Sequence, residues 1–352
     1  MSSDFTAPGR TGSQRPAQSP IRTVRWGLIG AGGIATDSVG PALHAVAGCS
    51  VRAAAATDMA RTRALGADIN YSSYEHVLQD PQVDVVYISL HNSAHVQWCA
   101  HALMAGKHVL CEKPLAMTAS DVADVADLAA STGKLLVEAM WVRWHPRMRE
   151  LQGILELVAP TGMRRVEAVF EGPEPSPGNY RWDPVLGGGA LLDLGSYAMA
   201  AILEVFSWEI PTVLGAELRH GRGGADASTH AELQFAGGTA SVQVALTGGG
   251  DQRLRVHTGS ATIELSTPVF TSLDQESDVI VRLRDGGNTQ RARFPPCNPY
   301  RTMVESVAAA VRGEDSWVVP LAESHAVAAT LDAVHTAARD GWRRRRMRCP
   351  GE

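Results

Sequence analysis

The sequence lacks any C-x-x-C pair, and its five cysteines, Cys49, Cys99, Cys111, Cys297 and Cys349, are odd in number. That leaves no cysteine zinc motif, speaks against a disulfide framework and suits reduced thiols in the cytoplasm. No apolar run reaches the length that spans a bilayer, so no membrane partner is expected. A net charge of −5 over 352 residues gives no electrostatic case for nucleic acid. The opening stretch, "MSSDFTAPGRTGSQRPAQSP", is polar and has no apolar core segment. It is expected to be a disordered leader over 1–20 rather than a signal peptide. The run Arg343 to Arg346 reads as a solvated basic tail over 343–352.

What remains is ordinary globular composition, 45% apolar and 20% charged. A chain this long suggests two domains, here expected over 21–143 and 144–342. In the first part, strand-like runs at Val24–Ile29, Ser50–Thr57, Asp84–Leu90, Lys107–Cys111 and Lys134–Met140 alternate with helical stretches. One of those helices runs to Gly106, and another is capped from Thr118 or Ser120 and closed by Gly133. This alternation predicts a parallel, doubly wound α/β sheet. The second part carries shorter alternating runs between Gly-rich turns, the pattern of an antiparallel sheet, and ends in two amphipathic helices.

The first strand runs into Gly30, Gly32, Gly33, Ile34 and Ala35, spaced G-x-G-x-x-A. Gly30 permits a tight turn, Gly32 lets backbone approach a pyrophosphate, and Ala35 lets the helix lie close to the strand. Asp58, at the end of the second strand, can accept from both ribose hydroxyls of NAD and would repel the 2′-phosphate of NADP. A helix-capping role suits it equally. Arg61 and Arg63 stand close by and could clamp that phosphate instead. NAD is therefore the expected cofactor, with NADP the alternative.

Three stretches, "GLIGAGGIA", "CEKPLA" (Cys111 to Ala116) and "GGGALLDLGSYAM" (Gly187 to Met199), together resemble the Gfo/Idh/MocA oxidoreductases. The resemblance implies an N-terminal Rossmann domain and a C-terminal α/β domain with a large, open, mostly antiparallel sheet. It implies hydride transfer between a nicotinamide and a secondary alcohol or ketone of a sugar, cyclitol or dihydrodiol. A homo-oligomer, dimer or tetramer, and a cis Lys113–Pro114 peptide are implied as well. "NSAH" matches the family's cofactor-side N-x-x-H, which makes Asn92 and His95 candidate cofactor residues. His91 and His95 have metal-compatible spacing but straddle an expected turn, so no metal is expected. The same fold also serves a dinucleotide-sensing regulator and an NAD-dependent glycosidase, and fold alone does not separate these.

Moving a hydride on or off an alcohol carbon also requires moving a proton. Lys113 supplies a cation at the end of a strand, and Glu112 beside it reads as a cofactor or backbone partner. Asp193 and Tyr197 stand four apart and share a helix face. Where inositol dehydrogenases carry histidine, this chain has Tyr197, so Lys113 and Tyr197 form the expected proton-transfer pair. Lys113 is expected to draw the phenol below its free pKa of ~10. A half-buried helix tyrosine is the plain alternative. Trp141 is expected at the cofactor, and Arg143 and Arg181 at the substrate. Packing roles for Trp141 and Arg143 are equally open.

Overall fold

The computed structural model describes residues 21–348 except 285, 287 and 288, with side chains described up to 340. The expected leader therefore lies outside the described residues. So does the end of the expected tail, while the backbone of 343–348 continues the last helix, Leu321–Arg348. Among the described residues, no single helix is long and apolar enough to cross a membrane.

Six parallel strands form the first sheet: β1 (Val24–Ile29), β2 (Cys49–Ala55), β3 (Ile69–Tyr71), β4 (Val85–Ile88), β5 (His108–Glu112) and β6 (Leu136–Ala139). Their order, β3-β2-β1-β4-β5-β6, is the one associated with dinucleotide binding. β4 and β6 are buried at every residue because helices cover both faces, which is why they read as unbroken apolar runs. β3 is a short run of three half-buried residues that carries no such signal. Register decides where the loops emerge. Ile29 pairs with Ala55 and Ile88, Ile88 with Cys111, and Glu112 with Ala139. The strands thus end in one row, and the segments leaving them share one edge.

The second sheet has eight strands: β7 (Arg164–Glu171), β8 (Thr212–His220), β9 (Asp226–Phe235), β10 (Gly238–Ala245), β11 (Gln252–His257), β12 (Ala261–Leu265), β13 (Ser277–Leu283) and β14 (Gln290–Phe294). Their order is β14-β13-β12-β11-β7-β10-β9-β8, and every pairing is antiparallel except β7 with β10. In β7, β11 and β12 buried residues alternate with exposed or half-buried ones, so one face packs and the other meets solvent. The packed face lies on the helix Gly195–Val205, in which every residue but Glu204 is buried. Small residues at Ala198, Ala200 and Ala201 let that helix sit close to its neighbours on several sides. The last helix packs on Ala119–Thr132 of the first layer and on Gly195–Val205 and β8 of the second.

Arg143 belongs to this packing. The sequence placed it at the substrate; the structure buries it to 4% exposure between Glu204 and Glu323, 2.8 and 2.7 Å away, under the ring of Trp208. Its guanidinium ties the helix Gly195–Val205 to the last helix and does not reach the cleft. Removing one member of a buried ion network strands the others, at a cost of about 3–5 kcal/mol. Arg143→Ala is expected to lower the unfolding temperature clearly in calorimetry while leaving dinucleotide affinity unchanged in titration.

Candidate active site

Where β1 ends, Gly30 adopts φ +93°, and a Cβ there would stand 2.1 Å from the carbonyl oxygen of Ser89. Only glycine lets the first turn press against the segment after β4. Gly30, Gly32, Gly33 and Ile34 line a cleft of about 840 Å³ together with Asp58, Arg61, Asn92, Glu112, Lys113 and Arg181. The cleft opens at the carboxyl edge of the first sheet, at the β1/β4 switch in strand order, where such sheets bind ligands. Ala35 is fully buried and serves the close packing of the turn, as its size suggested.

Lys113 leaves β5 through a cis peptide to Pro114. Its Nζ donates to the carbonyl oxygen and to Oδ1 of Asp193, both at 2.8 Å. Arg181 Nε donates to Oδ2 of the same carboxylate at 2.6 Å. Burial alone would raise the Asp193 pKa, but Lys113 and Arg181 overcome it and hold the group down to about 2. Asp193 is therefore a permanent anion clamped by two cations. Glu112 lines the cleft beside them and accepts from Tyr87 Oη at 2.7 Å. Burial pushes its carboxyl up to about 7, against the opposing pull of Tyr87 and Lys113.

Tyr197 is 8% exposed, with its hydroxyl accepting from Trp141 Nε1 at 2.8 Å. Lys113 Nζ sits 4.6 Å from the centre of its ring. The expected partners do meet, but the ammonium lies over the ring face and spends its hydrogen bonds on Asp193. Burial first, then Tyr300 and the charges of Glu112 and Asp193, push the Tyr197 phenol well above its ordinary value. This corrects the expectation that Lys113 lowers it. The side chain is held as the neutral phenol.

Two expected cofactor residues stand behind the cleft instead of in its wall. Trp141 stacks on Tyr300, with ring centres 4.6 Å apart, and holds the Tyr197 hydroxyl. His95 is buried, its Nδ1 2.8 Å from the Pro114 carbonyl and its Nε2 3.1 Å from that of Leu90. Burial lowers its pKa to about 4, so the ring is neutral and donates to one of the two carbonyls. Its place is between the loops after β4 and β5. Asn92 lines the cleft and donates to the Gly187 carbonyl at 2.7 Å. The three glycines of 187–189 make room for protein, not for substrate. A Cβ on Gly187 would meet Asn92 at 2.6 Å, one on Gly188 the 180–181 backbone at 2.5 Å, and one on Gly189 Asp226 Oδ1 at 1.9 Å.

A family model described as the oxidoreductase family with NAD-binding Rossmann fold matches residues 24–140, and the GFO/IDH/MocA C-terminal domain matches 162–264. The D-xylose 1-dehydrogenase (NADP(+)) 2 of Haloferax volcanii is 33% identical over 329 residues, 90% of this chain and 98% of that protein. The chain belongs to the Gfo/Idh/MocA family. The trans-1,2-dihydrobenzene-1,2-diol dehydrogenase of Sus scrofa is 34% identical over 221 residues, 61% of this chain and 65% of that one. A 3-ketoreductase from Actinomadura kijaniata, solved in complex with NADP and TDP-benzene, matches with a TM-score of 0.83 at 27% identity, over 90% of this chain and 98% of that chain. This Gfo/Idh/MocA member is thus an NAD(P)-dependent oxidoreductase acting on CH–OH groups and the matching ketones.

Sequence reasoning passed over Tyr180, which lines the cleft, and Tyr300, which backs Trp141. Neither lies in a motif, and only the fold brings them in. Asp58 caps its own helix, accepting from Ala60 N at 2.9 Å, and also lines the cleft, so capping and a place at the cofactor hold together. Arg61 lines the cleft beside it, whereas Arg63 is not in the wall. One charge disfavours a 2′-phosphate and the other attracts it. Asp58→Ala should shift the affinity ratio towards NADP by about tenfold, and Arg61→Ala should shift it the other way, as read by fluorescence titration with both cofactors.

Proposed function

We propose that the protein interconverts a ketone and a secondary alcohol of a sugar, cyclitol or dihydrodiol, with Lys113 and Tyr197 as the groups that handle the proton. The observation that carries this reading is the meeting of the two: Lys113 lines the dinucleotide cleft and stands 4.6 Å from the Tyr197 ring. When bound, the reduced nicotinamide supplies a hydride to the carbonyl carbon. Tyr197 then gives its phenolic proton to the oxygen, and Lys113 stabilises the negative charge that grows there. Trp141 holds the hydroxyl in place by its indole N–H, and Asp193 fixes the Lys113 side chain.

A phenol held above its ordinary pKa is protonated near neutral pH, which is the form that ketone reduction requires. Arg181, in the wall of the cleft, offers a charged partner for substrate hydroxyls, and Asp193 holds its guanidinium in place. The named relatives, a xylose dehydrogenase and a dihydrodiol dehydrogenase, support polyhydroxylated substrates of this size. We place the enzyme in the cytoplasm, in keeping with the free thiols of Cys49, Cys99, Cys111 and Cys297. We also propose that the chain associates into a dimer or tetramer through the open sheet, as its family membership implies.

A screen of sugar, cyclitol and dihydrodiol ketones with reduced cofactor, followed at the nicotinamide absorbance, identifies the substrate. Lys113→Met and Tyr197→Phe are each expected to lower kcat by roughly a hundredfold or more. The double variant should be little worse than the poorer single one, because groups acting together are not additive. Dinucleotide binding should survive Tyr197→Phe. Wild-type turnover in both single variants would remove the assignment.

A further inference from the structure

Behind the glycine turn lies a second cavity of about 300 Å³, at the lower end of the range for small-molecule sites. Its apolar wall comes from three elements and one loop, through Leu191, Leu218, Leu331 and, on the loop after β5, Met117. Two carboxylates, Asp226 and Asp332, reach it, and among the described residues no lysine or arginine lines it. Its other ionisable groups are the exposed imidazoles of His220 and His335. Among the described residues, none in its wall also lines the cofactor cleft.

The carboxylates are held in place by backbone. Asp226 is 8% exposed, and its Oδ2 accepts from Leu191 N and from Thr229 Oγ1, both at 2.8 Å. Asp332 Oδ2 accepts from Ala119 N at 2.8 Å. Burial raises the Asp226 carboxyl, against the bonds from Thr229 and Leu191 that favour its charged form. Two carboxylates over an apolar floor disfavour an anionic guest and reward one that brings a cation on a hydrocarbon body. The glycine turn is a wall common to both spaces: Gly188 faces the cavity, while Asn92, which lines the cleft, holds the Gly187 carbonyl.

We propose that this cavity is a second binding site of the enzyme, taking a compact apolar ammonium ion of the cycloalkylamine class. The site stands apart from the reaction assigned to Lys113 and Tyr197, and its test is a binding measurement that turnover does not enter. Cyclohexylammonium chloride is titrated into the full-length chain, with binding read by saturation-transfer NMR and calorimetry. Saturable binding is expected, retained at saturating NADP and in Lys113→Met. The neutral probe cyclohexanol should bind at least about tenfold more weakly, and Asp226→Asn should weaken the cation by a similar factor. Because Asp226→Asn also loosens the Leu191 contact, Leu218→Trp provides the independent check. It fills the cavity from a half-buried position on β8 and should abolish binding. Absent saturable binding, displacement by NADP, equal affinity for cyclohexanol, or unchanged binding in Leu218→Trp would each overturn the proposal.

Discussion

The proposed active site depends on one buried ion pair, Lys113 with Asp193 at 2.8 Å. Lys113 comes from the end of β5 in the first sheet, and Asp193 closes the short helix Ala190–Asp193 that belongs to the second layer. Taking both charges out of water is costly, and the pair persists because its remaining demands are met. Lys113 finds the Asp193 carbonyl as well as the carboxylate, and Arg181 covers the second carboxylate oxygen. The consequence is geometric. With Nζ spent on Asp193, the ammonium lies over the Tyr197 ring, and burial of the hydroxyl keeps the phenol protonated.

Around this pair the site is built in depth, each piece holding the next. Tyr300 backs Trp141, Trp141 holds the Tyr197 hydroxyl, and Phe170 meets the Tyr197 ring edge-on at 5.7 Å. His95 ties the loops that carry Leu90 and Pro114, and Asn92 ties the first of those loops to the glycine turn. Glu112 adds its charge to a region already rich in phenols, and Tyr180 is pushed up to about 12 by burial and then by Asp193. This arrangement keeps the phenols of Tyr180 and Tyr197 protonated. That property distinguishes it from the phenolate arrangement expected of a lysine–tyrosine pair.

Much of this could be read from the chain. The Rossmann strands were legible because burial on both faces makes them continuous apolar runs, and the cleft because Gly30, Gly32 and Ala35 have fixed spacing. Lys113, Asp193 and Tyr197 announced themselves through two motifs. The parts that escaped are those whose partners lie far away in sequence. Trp141 finds Tyr197 across 56 positions and Arg143 finds Glu323 across 180. Nothing local tells a tryptophan that holds the Tyr197 hydroxyl from one that touches cofactor, or a buried structural arginine from a substrate clamp. The glycines of 187–189 show the same limit: the sequence shows that space is needed there but not that Asn92, the 180–181 backbone and Asp226 fill it.

The central claim is that Tyr197 acts as a phenol held above its ordinary pKa, and the pH dependence of ketone reduction tests it most directly. The measurement is the single-turnover reduction rate at saturating reduced cofactor, in a Glu112→Gln background that removes the titration near 7. A group whose pKa is raised stays protonated to higher pH, so the rate should hold level up to about pH 10, the free phenol value. A fall in rate with its midpoint clearly below about pH 10, lost on Tyr197→Phe, would show a lysine-activated phenolate and contradict the account.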